Sequence, residues 1–221
     1  MQIDNPKLCA TYRKVQLVRE HMGQVCLGKH EPALRIMNLH HVIQDMYGLQ
    51  IEMREVDFPA VHLKGKIERY SDKRARILVR ASLSDAEKRS TAVKELCHLM
   101  LDQEEDWSPR GTDTIDELML DASLLASNGV GNANPSAPLM SEALAILAGT
   151  ELMYPGEYHD GDLARLKENL TTISAIALQH DVPPYIIQHA YTNKEVRDRV
   201  CAQIAAEMPA AANDDAKRSS M

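Results

Sequence analysis

Lys94, Glu95 and His98, within Thr91-Ala-Val-Lys-Glu-Leu-Cys-His-Leu-Met-Leu101, have the spacing of a metal-dependent hydrolytic site. In the pattern His-Glu-x-x-His, two imidazoles one helical turn apart bind zinc, and the glutamate between them acts on the zinc-bound water. Here the glutamate (Glu95) and the second histidine (His98) are present, while the first histidine position holds Lys94. Positions 94 and 98 lie on one helix face, with Cβ atoms roughly 5–6 Å apart, so groups placed there reach a common point. A lysine ligates zinc only as the neutral amine, and an unperturbed pKa of about 10.4 makes that form costly at neutral pH. The protonated ammonium repels a divalent cation and is drawn to carboxylates. Glu142, at the start of a later apolar segment, is the candidate third ligand, so the residues predict an ion pair from Lys94 to glutamate at the metal position.

Two residues are candidate substitute ligands. Asp102 follows His98 by four residues on the same helix face, and His159 lies in the loop 156–161. The competing readings are a solvated residue near a helix end and a surface histidine. Cys97, inside the motif helix, is expected to pack and not to react. His40-His41 falls on a helix with no acidic or cysteine partner nearby in sequence, and is read as structural.

The elements that must position these residues follow from period and punctuation. Helices are predicted over 6–27, ending at Gly28, and over 32–47, with Pro32 at the start and Gly48 as the stop. Strands are predicted over 49–56, 65–70 and 75–80, with a turn at 71–73. Ser84 with Asp85 and Glu87 opens the motif helix, which runs to about residue 103. Further helices are expected over 113–126, 139–153, 162–179, 183–191 and 193–208, with polar loops over 104–112 and 127–138. The fold class is therefore α+β: mainly helical, with a small antiparallel three-stranded sheet and a helical C-terminal subdomain. The expected division is an N-terminal helix over 1–29, a domain over 30–158, the helical subdomain over 159–208 and a disordered tail over 209–221.

Composition narrows the function. Hydrophobic residues make up 44% of the 221, enough for a core, but aromatics are only 4%, so aliphatic side chains must fill it. A formal charge of -7 argues against nonspecific binding to nucleic acid or anionic membrane. No segment is apolar enough to span a bilayer, and no signal-peptide core is seen. Cys9, Cys26, Cys97 and Cys201 form no framework and no C-x-x-C, as expected of a reduced, cytoplasmic protein. Seven basic residues over 64–80 (Lys64, Lys66, Arg69, Lys73, Arg74, Arg76 and Arg80) form a basic hairpin. Lysine and arginine commonly guard strand edges, so direct nucleic-acid binding is not expected. The segment 181–191 has a helix-turn-helix look, but it contains no lysine or arginine to read DNA.

Ile77-Leu-Val79, the helix ending His98-Leu-Met-Leu101, Glu142-x-x-Ala145 and Leu152-Met-Tyr-Pro155 together resemble the ImmA/IrrE family of metallo-endopeptidases. The resemblance runs over about 30–192. It implies a zincin-like, gluzincin-type domain in which His98 and Glu142 would be metal ligands and Glu95 the catalytic base. It also implies a helix-turn-helix repressor, of a mobile element or stress regulon, as substrate. Lys94 departs from the family pattern at a ligand position. The expectation is a catalytically impaired member that regulates transcription by binding such a repressor, with no cofactor. The rival is an active zinc endopeptidase completed by a substitute ligand.

Overall fold

A computed structural model of the chain describes residues 5–25, 36–103 and 137–207. In chain order the elements are α1 (Asn5–Val25), α2 (Ile36–Tyr47), β1 (Gln50–Val56), β2 (Gly65–Arg69), β3 (Arg74–Arg80), α3 (Asp85–Leu101) and α4 (Ala137–Met153). A 3-10 turn at Gly156–Tyr158 leads into α5 (His159–Lys167), α6 (Ile173–Gln179), α7 (Pro184–Thr192) and α8 (Lys194–Glu207). The helix expected over 113–126, its flanking loops and the tail over 209–221 lie outside the described residues.

The α+β class holds, but the sheet is mixed and not antiparallel. Its order is β1-β3-β2: β3 runs parallel to β1 and antiparallel to β2. The central place falls to β3, whose inward residues Ala75, Ile77 and Val79 are all buried. The tight turn before β3, with Lys73 at φ 62°, pairs it with β2. Residues 57–64 then cross about 10 Å, two strand spacings, past the end of β3. Arg80 anchors that crossing: its Nε donates to the Leu63 carbonyl at 2.9 Å, and another guanidinium nitrogen donates to the Ala60 carbonyl.

The second correction concerns 162–179, expected as one helix. It is two, α5 and α6, because Asn169 adopts φ 58° and closes α5. The Asn169 N–H donates to Leu166 and the Leu170 N–H to Arg165, the paired bonds of a Schellman ending. Thr172 then caps α6 by accepting from the Ala175 N–H at 3.1 Å. The signal was local, since asparagine tolerates the left-handed conformation and threonine caps helices.

The inner sheet face packs on α2 and α3 through Ile51, Ile77, Val79, Leu39, Ile43, Val93 and Leu96. His40 fastens α2 to β1, its Nε2 lying 2.9 Å from the Ile51 carbonyl, in keeping with a structural role. On its other face α3 meets α4, the most extensive helix pair among the described residues. Helix α4 is apolar on nearly all sides because it is a shared wall. Ala145, Ala148 and Leu152 join the main core, and Met140, Leu144 and Leu147 join a second cluster with Leu8, Cys9 and Tyr12 of α1 and Val200 and Ile204 of α8. Helix α1 also places Val15 and Val18 in the main core.

Two glycines face α3, and only one of them makes a tight approach. A Cβ at Gly65 would lie 2.4 Å from Thr91 Cγ2 and 2.9 Å from Glu95 Oε1, whereas one at Gly149 would meet nothing closer than 3.7 Å. Gly65→Ala is therefore expected to destabilise the protein by about 1–3 kcal/mol through overpacking. Gly149→Ala should be neutral or stabilising by up to about 1 kcal/mol through helix propensity. Denaturant midpoints of the two variants check the contrast, and equal shifts would refute it.

Candidate metal-position site

Helix α3 carries the motif and is fixed at both ends. Ser84 and Glu87 form a reciprocal capping box, with Asp85 and Glu87 in the positive first turn. At the other end the exposed carbonyls are claimed by neighbours. Lys14 Nζ of α1 donates to the Met100 carbonyl at 2.8 Å, and Arg69 of β2 donates to that of His98 at 3.1 Å. The small residues Ala145, Ala148 and Gly149 let α4 lie close against α3, and this brings Glu142 over Lys94 and His98.

Lys94, Glu95, His98 and Glu142 converge there. Lys94 Nζ donates to Glu142 Oε1 at 2.7 Å and lies 3.1 Å from Glu95 Oε1. That Glu95 oxygen is buried and has no aligned hydrogen bond, so its contact with the ammonium is electrostatic. His98 Nε2 donates to Glu142 Oε2 at 2.9 Å. Glu95, His98 and Glu142 are all buried, and the Lys94 side chain retains 28% exposure, the site's contact with solvent.

Asp102 lies on the other edge of the imidazole. His98 Nδ1 is 3.1 Å from Asp102 Oδ2, and Arg69 reaches the same oxygen at 2.6 Å. Ser141 donates its hydroxyl proton to Asp102 Oδ1 at 2.5 Å, so it is not poised as a nucleophile. The result is a chain, Arg69–Asp102–His98–Glu142–Lys94–Glu95, in which cations and carboxylates alternate.

The electrostatics follow from that alternation. Both ring nitrogens of His98 face carboxylates, which accept only, so the ring is an imidazolium. Burial opposes this charge, but hydrogen bonds to Asp102 and Glu142 outweigh it and hold the pKa up at about 9. Burial likewise works against the Lys94 ammonium, and the charges of Glu95 and Glu142 overcome it, keeping the group above the ordinary lysine range. Burial would raise Glu142, yet His98 and Lys94 pull it down to about 2, and Asp102 is lowered through His98, Ser141 and Arg69. Burial and the nearby Glu95 and Asp102 push the Cys97 thiol up, which leaves it inert.

The expected residues divide in two. Lys94, Glu95, His98 and Glu142 come together. Asp102 does not point at the same space: it binds Nδ1 while Glu142 binds Nε2, and one metal cannot lie on both edges of a ring. His159 belongs to a different cluster, where its Nε2 bonds the Tyr154 carbonyl at 3.1 Å and its ring stacks on Tyr154. Among the described residues no three His, Cys, Asp or Glu side chains converge as a metal-holding group. Among the described residues the donor set, a protonated imidazole, one carboxylate and an ammonium, does not fit zinc. Sequence reasoning missed Ser141, and it placed Arg69 in a basic patch although Arg69 serves Asp102. No local signal in either residue reveals the distant partner.

The basic hairpin is largely neutralised. Arg76 pairs with Glu52 at 2.9 Å and with Glu68 at 3.6 Å, Lys66 with Glu68 at 3.3 Å and Arg74 with Asp72 at 2.6 Å. No helix among the described residues is long and apolar enough to cross a membrane.

A mixed three-stranded sheet backed by a motif helix, with a glutamate delivered from a later helix, is the framework of a metallopeptidase-like domain. The family model described as the IrrE N-terminal-like domain, of peptidase family M78, matches residues 49–169, and the chain belongs to this family. No curated protein matches the chain.

The shifts at His98 and Glu142 set a pH profile. His98 is raised, so its contribution is complete below its unfolded pKa of about 6.5 and is lost as pH climbs toward about 9. Glu142 is depressed, so its contribution is present above about 4.5 and is lost as pH falls toward about 2. Melting midpoints are expected to be highest near pH 5–6 and to decline on both sides. A midpoint that stays level from about pH 7 to 9 would refute the imidazolium.

Proposed function

We propose that this protein is a non-catalytic member of its family that regulates transcription by holding a helix-turn-helix repressor. The observation that carries the reading is the Lys94 ammonium, 2.7 Å from Glu142 and 3.1 Å from Glu95, at the position where the motif calls for a metal ligand. A protonated His98, donating from Nε2, has no lone pair to offer a metal there. Glu95 faces an ammonium in place of an activated water, and so has no proton to take from one.

What supports partner binding is the surface beside the site. Among the described residues no strand pairs with the outer edge of β2. Lys64 and Tyr70 bond inward to β3, so by the two-residue period the backbone groups of Gly65 and Ile67 point outward. An extended segment of a partner can add to such an edge by main-chain hydrogen bonds. The repressor class comes from family membership. Holding without cutting converts the family's cleavage into sequestration or joint regulation.

The test is direct. The purified chain, incubated with helix-turn-helix regulators encoded near its own gene, is expected to bind one of them and leave it intact. Glu95→Gln should bind equally well. Cleavage that disappears with both Glu95→Gln and a chelator would overturn this reading in favour of an active peptidase, and binding to none of the regulators would end the sequestration model.

A further inference from the structure

We propose that Lys94 is the resident cation of this site: a tethered ammonium that balances Glu95 and Glu142 in place of a bound divalent ion, making the domain's fold independent of zinc. The inference deepens the non-catalytic reading above and rests on it, but it concerns how the site is held together and not what it binds.

The first support is the placement of Nζ. It bonds Glu142 Oε1 while His98 Nε2 bonds Glu142 Oε2, so both oxygens of that carboxylate are already claimed by cationic donors. Nζ also stands 3.1 Å from Glu95 Oε1, a buried oxygen with no hydrogen-bond partner. Two buried carboxylates thus meet at one ammonium. Without it, Glu95 would lose its neighbouring cation and face Glu142, which would keep only His98 as a partner, an arrangement that proteins do not tolerate cheaply.

The second support is competition. Zinc could enter only by displacing the ammonium from Glu142 and breaking the contact between His98 Nε2 and Glu142 Oε2, and with Lys94 in place it would gain just two ligands among the described residues. Structural and catalytic zinc sites use at least three. The tether adds a further advantage: Lys94 is supplied at high effective concentration by its own helix, one turn from His98 and against Gly149, which lies close to its Cα.

The third support is that the surrounding shell is complete without a metal. Asp102, Arg69 and Ser141 fix His98 from its Nδ1 edge, so the ring is oriented whether or not anything binds at Nε2. Only the ligand at position 94 stands between this arrangement and a two-histidine, one-glutamate set. Lys94→His would place a second imidazole at the i, i+4 spacing from His98, with the Glu142 carboxylate already facing both positions.

The experiment compares the full chain with Lys94→His and Lys94→Met, reading bound zinc and melting temperature with zinc chloride or EDTA. The native chain should hold no stoichiometric zinc and melt at the same temperature in both. Lys94→His should bind one zinc per chain and gain about 5–10 °C at zinc 100-fold above its Kd. Lys94→Met should lose on the order of 10 °C, with no response to zinc, because Glu95 has lost its cation and Glu142 one of its two. One zinc per native chain, a Lys94→Met variant that melts like the native protein, or a folded Lys94→His variant that takes no zinc would each overturn the proposal. The native titration stands alone should a variant fail to fold. These readouts involve no partner, so failure of repressor binding and failure of the tethered cation are separately visible.

Discussion

An ammonium enclosed by carboxylates between two closely packed helices is a demanding thing to build, and much of this structure answers to it. Removing one partner from such a buried pair typically costs about 3–5 kcal/mol, comparable to a sizeable part of a domain's total stability. The Lys94–Glu142 contact therefore constrains the spacing of α3 and α4. That spacing in turn requires small residues where the helices touch, and Ala145, Ala148 and Gly149 supply them. A leucine at any of these positions would improve local burial and push Glu142 away from its cation.

The constraint extends outward through alternating charge. Glu142 is shared by Lys94 and His98, His98 needs Asp102 on its far edge, and Asp102 needs Arg69 from β2. Each link compensates a charge that burial alone would neutralise. The sheet is thereby tied to the helix pair by polar contacts as well as by the apolar packing of Ile77 and Leu96. The far end of α4 repeats the logic independently. Glu151 is held by both Nε and Nη2 of Arg197 from α8, each at 3.0 Å, and also accepts the Gly156 N–H. Near it, Asp162 accepts from Tyr154 and from His180, both fully buried. An apolar helix with a paired carboxylate at each end can be buried on most sides and still hold one register.

Legibility from sequence tracked the range of the interactions involved. Helix starts and stops, the three strands and the α+β class were readable because caps, turn residues and hydrophobic period act within a few residues. Ser84 with Glu87 is such a signal, and the capping box is formed. The break at Asn169 was equally local and went unread because the apolar period continues across it. The sheet order was a different matter. Nothing within β1 specifies a parallel partner: the outcome depends on how the connection 57–64 crosses past β3, where Arg80 holds carbonyls some twenty residues earlier. Strand period reports which residues face inward, and it is silent about which strand lies alongside.

The candidate site divides along the same line. A one-turn spacing places Lys94 and His98 on a common face, and the charge of lysine then selects a carboxylate partner. Those steps are local, and they lead to the contact with Glu142 once the later helix is taken as its neighbour. Asp102 satisfies the same spacing rule relative to His98, yet it serves a different role. Helical period specifies the face of the helix; it does not specify which ring nitrogen a neighbour will meet. That choice is made by χ angles fixed from outside, by Glu142 drawing Nε2 one way and by Asp102, held by Arg69 and Ser141, drawing Nδ1 the other. A residue offered by its spacing as a metal ligand thus becomes the support for the far edge of the His98 ring. Lys94 and Asp102 act on the same carboxylate–imidazole pair from opposite ends: the ammonium holds Glu142 Oε1, and Asp102 orients the ring whose Nε2 meets Glu142 Oε2.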